Sequence, residues 1–373
     1  MRKAVLCLLA AAMFFGNLVI PARAAEISAQ AAILWNADTG DVLYEREADT
    51  PLAIASVTKL LTALVTAEAC DMAETVTVAP EAAGVEGSSL YLAAGEELTV
   101  ETLLYGLLLE SGNDAAAALA YHVSGGIDAF AEEMNLQAQA LGCTNSSFKN
   151  PHGLTQEGHY STARDLARIM AAVMEVPCLR EIMATGYITC GDRTFENHNR
   201  LLQLYEHTTG GKTGYTQAAG RTLVTSAEKD GVHLICVTLN DGDDWNDHIS
   251  LYEEGFSRYR RVEVLAEGET WQVPVISGVK PYAEVGAEPF SVSVLQEDTV
   301  EIAVSLPKFV YAGVECGSTA GFLSVYVNGE ERERVWLSYT QNIARDEEIL
   351  EYEPGEFFLR LKQIIWGIFP LER

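Results

Sequence analysis

The sequence is short of positive charge: 25 Lys and Arg stand against 53 Asp and Glu, for a formal net charge of −28. A surface of that sign repels nucleic acid and anionic lipid at long range, which argues against a nucleic-acid partner. Cysteine occurs seven times, yet no C-x-x-C and no paired Cys/His spacing is found, so no metal site and no cofactor are expected. Beyond Cys7, the thiols are Cys70, Cys143, Cys178, Cys190, Cys236 and Cys316. Cys178 and Cys190 are nearest in sequence, but spacing fixes no pairing, and buried free thiols are an equal reading. Internal repeats and low-complexity segments are also absent.

The N-terminal apolar run, residues 4–20, is short for a membrane span. Arg2 and Lys3 precede it and Pro21-Ala22-Arg23-Ala24 follows, the pattern of a secretory signal peptide (residues 1–24) cleaved after Ala24. Export to the cell envelope, at the outer face of the cytoplasmic membrane, is therefore expected. The remaining length suits one large domain and a smaller one.

Alternation of apolar and polar residues over 31–35 and 42–44, around the turn Asn36-Ala37-Asp38-Thr39-Gly40, predicts a hairpin. A helix carrying Lys59 runs to about Ala69. Thr99 caps a second, with Val100, Leu103, Leu104, Leu107 and Leu108 on one face, ending at Glu110-Ser111-Gly112-Asn113-Asp114. Helices over 115–123, 127–141 and 163–176 follow, the last opened by Thr162 with Asp165 at its third position. Strand character returns at 186–189 and from Gly210, and 221–227 with 232–239 form a hairpin around Glu228-Lys229-Asp230-Gly231. The fold class that follows is α+β, one antiparallel sheet flanked by helices, over residues 25–260. Short alternating runs at 270–276, 290–295, 300–306 and 322–327 predict a small all-β domain over 261–345. Residues 354–373 then read as an amphipathic helix, with Phe357, Phe358, Leu361, Ile364, Ile365 and Ile368 on one face, suited to lie on a membrane surface.

Three short elements carry chemistry. Ser56-Val57-Thr58-Lys59 places a serine where a loop enters a helix and an amine one turn further on. A serine hydroxyl is a weak nucleophile until a base takes its proton, and a lysine does so only when burial or a neighbouring cation keeps it neutral. Ser111-Gly112-Asn113 lies 55 residues beyond Ser56, and Lys212-Thr213-Gly214 another 101 beyond Ser111. In that order the three form the set found in penicillin-binding proteins and class A β-lactamases.

The sequence resembles the serine-type D-alanyl-D-alanine carboxypeptidases, the low-molecular-mass penicillin-binding proteins. The resemblance extends over Ser111-Gly112-Asn113-Asp114-Ala115, Asn150-Pro151-His152-Gly153-Leu154, His159-Tyr160-Ser161-Thr162-Ala163, Asn197-His198-Asn199-Arg200-Leu201-Leu202 and Lys212-Thr213-Gly214-Tyr215-Thr216. It implies a serine β-lactamase/transpeptidase-like fold, with peptidoglycan stem peptides ending in D-Ala-D-Ala as substrates and β-lactam antibiotics as covalent inhibitors. It also implies catalytic roles for Ser56 as nucleophile, Lys59 as base and Ser111 as proton relay. Asn113, Lys212, Thr213, Gly214 and Tyr215 would bind substrate, the backbone N–H groups of Ser56 and Tyr215 forming the oxyanion hole. His152, His159 and His198 are read as structural. A β-lactamase would need an E-x-x-x-N pair on the loop after Ser146, and none is present. A cell-wall sensor that merely keeps the fold is disfavoured because every catalytic position is intact.

Overall fold

The computed structural model describes residues 26–346. The predicted signal peptide and the predicted C-terminal helix lie outside the described residues. The described residues form two compact units, 26–227 with Leu234–Glu254 and Glu228–His233 with 255–346.

In the first unit, β1 (Ala31–Asn36) and β2 (Val42–Arg46) form the expected hairpin. A 3-10 turn (Ala55–Thr58) leads into α1 (Lys59–Ala69). β3 (Thr75–Thr77) and β4 (Glu97–Thr99) pair across the intervening loops. Four helices follow: α2 (Val100–Leu108), α3 (Asn113–Ser124), α4 (Ile127–Ala140) and α5 (Ala163–Glu175). The Thr99 hydroxyl accepts from the Thr102 N–H and the Thr162 hydroxyl from the Asp165 N–H, so both predicted caps form. α6 (Pro177–Ala184), with proline in its first turn, was not foreseen. After the small hairpin β5 (Tyr187–Cys190) and β6 (Arg193–Glu196) and the short α7 (Leu201–Leu204), the chain returns to the main sheet through β7 (Thr208–Thr216), β8 (Gly220–Lys229) and β9 (Val232–Leu239), and continues into α8 (Asp244–Ser257).

The sheet order is β2-β1-β9-β8-β7, all antiparallel, so early and late strands join in one sheet while the helices are inserted between them. This is the predicted α+β arrangement. The core explains the position of α1. Every residue from Lys59 to Thr66 is buried, and α1 packs on α2, α3, α4, α5 and α6. The run Ala115–Ala120 in α3 is small enough to let the two helices approach closely, and all of it is buried. A helix buried all round cannot choose its polar residues freely, so the lysine at its start requires a reason.

The second unit is all β among its strands from β10 onward. β10 (Tyr259–Leu265) pairs with β13 (Phe290–Leu295). β11 (Trp271–Ile276), β12 (Tyr282–Gly286), β14 (Val300–Ser305), β15 (Val310–Tyr311), β16 (Thr319–Val327) and β17 (Glu330–Tyr339) form a sheet of order β14-β16-β17-β12-β11-β15. Its core includes Val264, Val273, Ala283, Val285, Leu323, Val325 and Leu337. The six described cysteines are all free.

Candidate active site

The site is built where the start of α1, the start of α3 and strand β7 meet. Ser56 does not sit in the first turn of an α-helix, as expected, but in the 3-10 turn before it. Ala55 has φ 49, a left-handed conformation that re-aims the chain just ahead of the serine. Three contacts hold this turn. The Thr58 hydroxyl donates to the Ala55 carbonyl at 2.8 Å, and the Thr222 hydroxyl on β8 donates to the Ile54 carbonyl at 3.1 Å. Gly214 on β7 comes so close that a Cβ there would stand 2.9 Å from the Ser56 nitrogen and 2.4 Å from Thr222 Oγ1. Only glycine lets the strand press onto the serine turn.

Lys59 is 0% exposed. Its Nζ lies 3.0 Å from Ser56 Oγ, 2.7 Å from Asn113 Oδ1 and 2.6 Å from the His152 carbonyl oxygen. Burial, and then the Lys212 ammonium, hold the Lys59 amine well below its ordinary pKa, while the Asp114 carboxylate works in the opposite direction. Lys212, on β7, is also fully buried; its amine donates to the neighbouring Thr213 carbonyl at 3.0 Å and makes no ion pair among the described residues. Burial lowers its pKa to about 7.

Between α2 and α3, Ser111 adopts φ 62 and its buried Oγ makes no hydrogen bond among the described residues. Asn113 is the first residue of α3; its amide donates to the Glu86 carbonyl at 2.6 Å, which turns its oxygen toward Lys59. Beside it, the buried Asp114 carboxylate accepts from the Ser89 hydroxyl and from the backbone N–H of Leu90, Leu92 and Ala115 at 2.7 to 3.0 Å. A carboxylate at a helix N-terminus is electrostatically favoured, and here it also ties the 89–92 segment to the base of Asn113. Tyr215 is 69% exposed, at the open end of β7.

The structure thus brings Ser56, Lys59 and Asn113 into direct contact, sets Gly214 against the serine turn, and buries Ser111 and Lys212 nearby. The motifs did not reveal three further contributors. The His152 and Glu86 carbonyls are backbone groups, and no side-chain type announces them. Asp114 was visible as an acid opening an Ala-rich helix, a signal that could have suggested an N-terminal carboxylate. His152 and His159 are structural by contact: His152 Nδ1 accepts from the Leu154 N–H, and His159 bridges the Lys149 N–H to Thr58 Oγ1. Burial first lowers their pKa values to about 3 and about 4, so both rings are neutral near pH 7. His198 pairs with Glu110 at 3.3 Å.

Known proteins resemble the chain in sequence and in fold. The family model described as D-alanyl-D-alanine carboxypeptidase matches residues 19–243. The D-alanyl-D-alanine carboxypeptidase DacF of Bacillus subtilis is 33% identical over 81% of this chain and 82% of its own length. DacC of Escherichia coli, another D-alanyl-D-alanine carboxypeptidase, is 32% identical over 91% and 88%. The crystal structure of penicillin-binding protein 5 from Haemophilus influenzae aligns with a TM-score of 0.63 at 27% identity, over 86% of this chain and 99% of that one. With the Ser-x-x-Lys pair, the Ser-x-Asn turn and the Lys-Thr-Gly strand gathered at one site on such a fold, the chain belongs to the D-alanyl-D-alanine carboxypeptidase family.

Proposed function

We propose that this protein removes the terminal D-alanine from peptidoglycan stem peptides through an acyl-enzyme on Ser56, with neutral Lys59 as the base. One observation carries the reading: the contacts of Lys59 Nζ. Two of its neighbours, the Asn113 and His152 oxygens, are carbonyls that can only accept. A neutral amine has two N–H bonds and one lone pair, so both bonds go to the carbonyls and the lone pair is left facing the Ser56 hydroxyl. The carbonyls thereby aim the base as well as bind it. Burial and Lys212 favour that neutral state.

In the proposed mechanism, Lys59 takes the hydroxyl proton as Ser56 Oγ attacks the carbonyl between the two D-alanines. The backbone N–H groups of Ser56 and Tyr215 receive the developing oxyanion, each such donor contributing ~3 kcal/mol. Ser111, whose hydroxyl makes no hydrogen bond among the described residues, passes the proton from Lys59 to the departing nitrogen. Lys212 and Thr213 hold the terminal carboxylate, and Asn113 holds both Lys59 and the substrate amide. Water then hydrolyses the ester, with Lys59 again as base. β-Lactams would acylate the same serine and leave slowly. Neither a metal nor a cofactor enters this scheme.

The setting is proposed likewise: export by the N-terminal signal, action on peptidoglycan in the cell envelope, and attachment to the outer face of the cytoplasmic membrane by residues 354–373. Among the described residues no helix is long and apolar enough to cross a membrane. The test is D-alanine release from a peptide ending in D-Ala-D-Ala, together with mass spectrometry of the penicillin adduct. Ser56→Ala should abolish both turnover and labelling; an adduct on another residue would refute the assignment.

A further inference from the structure

α1 and α3 both start at the active site, with Lys59 and Asn113, and their far ends meet in a second cluster of chemically capable side chains. There Cys70, at the C-cap of α1, Glu74, just beyond it, and His122, in the last turn of α3, place one ligand atom each within 4.8 Å of one another. His122 Nε2 is 2.9 Å from Glu74 Oε1. Cys70 is half-buried and paired to no other thiol among the described residues. The segment that carries the two ligands is pinned on both sides, by Cys70 N–H to the Thr66 carbonyl at 3.0 Å and by Val100 N–H to the Glu74 carbonyl at 2.9 Å.

We propose that Cys70, Glu74 and His122 form a zinc site with three protein ligands and a fourth position taken by water. The donor set selects the ion. Calcium and magnesium take oxygen ligands, whereas a thiolate with an imidazole suits zinc. Zinc bonds of about 2.0 to 2.3 Å in a tetrahedral site put ligand atoms about 3.3 to 3.6 Å apart. The present cluster therefore needs to contract by about an ångström across its widest gap, and the His122–Glu74 hydrogen bond to open slightly. The charges balance: Zn²⁺ with one thiolate, one carboxylate and a neutral imidazole is net neutral, and binding releases the thiol proton to solvent. No Cys/His pair spacing marks this site in the sequence: Cys70 and Glu74 share one segment, and His122 comes from a helix 48 residues beyond Glu74.

The ion would clamp the ends of two helices whose other ends hold Lys59 and Asn113. From Lys59 to Cys70 is about 16 Å along α1 at ~1.5 Å per residue, too far for a catalytic role but well placed to fix the spacing of the two helices. The inference is independent of the acyl-enzyme reading. To test it, the full chain is stripped with chelator, dialysed against zinc and analysed for metal, and cobalt is added in parallel as a spectroscopic probe. One equivalent of zinc, a thiolate-to-cobalt charge-transfer band and a rise in melting temperature on adding zinc are expected for the wild type and for Cys316→Ser, which removes the exposed thiol. Cys70→Ser, nearly isosteric, should lose all three while still being labelled by penicillin. His122→Gln should weaken binding by ~10-fold or more. A wild type that retains no more zinc than Cys70→Ser, or that shows no cobalt–thiolate band, would overturn the proposal and leave the active-site reading intact.

Discussion

Gly153 and Ala55 stand so close that a Cβ on Gly153 would lie 1.9 Å from the Ala55 carbonyl oxygen. Gly153 has φ +86, a left-handed conformation that a side chain would strain in any case. The Ala55 carbonyl also accepts the Thr58 hydroxyl, and its residue is the one before Ser56. On the other side of Gly153, the His152 carbonyl holds Lys59. A side chain at 153 therefore has to separate the Ser56 turn from the carbonyl that holds Lys59. Gly153→Ala is expected to lower the rate of penicillin acylation by ~100-fold, the scale of an ångström of misplacement. Acylation at the wild-type rate in a folded Gly153→Ala protein would show that the contact does not position the site.

The two lysines should respond differently to replacement by arginine. A guanidinium stays charged near neutral pH and cannot take the serine proton. Lys59→Arg should therefore lose activity by ~100-fold or more, in the range of a missing general base. Lys212→Arg keeps a cation for the substrate carboxylate and should raise KM more than it lowers kcat. Equal, small losses in both variants would argue against a neutral Lys59.

Much of this was legible in the sequence, and the parts that were not share a cause. The roles proposed for Ser56, Lys59, Ser111, Asn113, Lys212 and Thr213 rest on side chains, so their types and order could be read directly. The His152 and Glu86 carbonyls and the Gly153 contact act through backbone, and a residue's identity says nothing about where its carbonyl points. The helices from Val100 and from Ala163 announced themselves through Thr99 and Thr162, whose caps both formed. α6 did not, because its eight residues span barely two turns of periodicity. In the second unit, alternation revealed strands but not partners: β14 lies beside β16 and β15 runs parallel to β11, pairings that depend on the whole sheet. Ser56 was placed at a helix start correctly in outline, but the 3-10 turn depends on Ala55 adopting positive φ, which alanine does not advertise.

Lys212 should set the acid limb of the pH profile without touching the proton that moves. Its charge is one of the two causes that depress the Lys59 pKa. Removing it in Lys212→Met lets Lys59 keep its proton to higher pH, so the acid limb of the penicillin acylation rate should move upward. In the wild type the lysine charge itself fades as pH rises past about 7, giving an alkaline limb for the free enzyme that the variant should lack. An acid limb that stays in place, or moves down, would mean that the two amines are not coupled.

Buried neutral histidines make the fold sensitive to mild acid, and His248 is the clearest case. It is fully buried in α8, with Nδ1 2.8 Å from Thr225 Oγ1 on β8 and Nε2 3.0 Å from Thr238 Oγ1 on β9. Thr225 Oγ1 is in turn 2.7 Å from the Tyr252 hydroxyl, so the ring sits in a closed polar network under the sheet. Burial lowers its pKa to about 3, against a smaller opposite effect of Asp241. The unfolded chain binds this proton near the ordinary value of 6.5, whereas the folded protein does not until about pH 3. The stabilisation is therefore complete above pH 6.5 and is lost progressively as pH falls toward 3. The slope approaches ~1.4 kcal/mol per pH unit for one proton. His152 and His159 act in the same direction, and Asp247, whose pKa is raised mainly by burial, acts in the opposite one. His248→Gln should lower stability at pH 7 by ~1 to 3 kcal/mol, through the contact it cannot replace. It should also flatten the pH dependence between 6.5 and 4 by about one proton. Urea unfolding of both proteins across that range measures the difference; parallel curves would show that His248 does not stay neutral in the folded state.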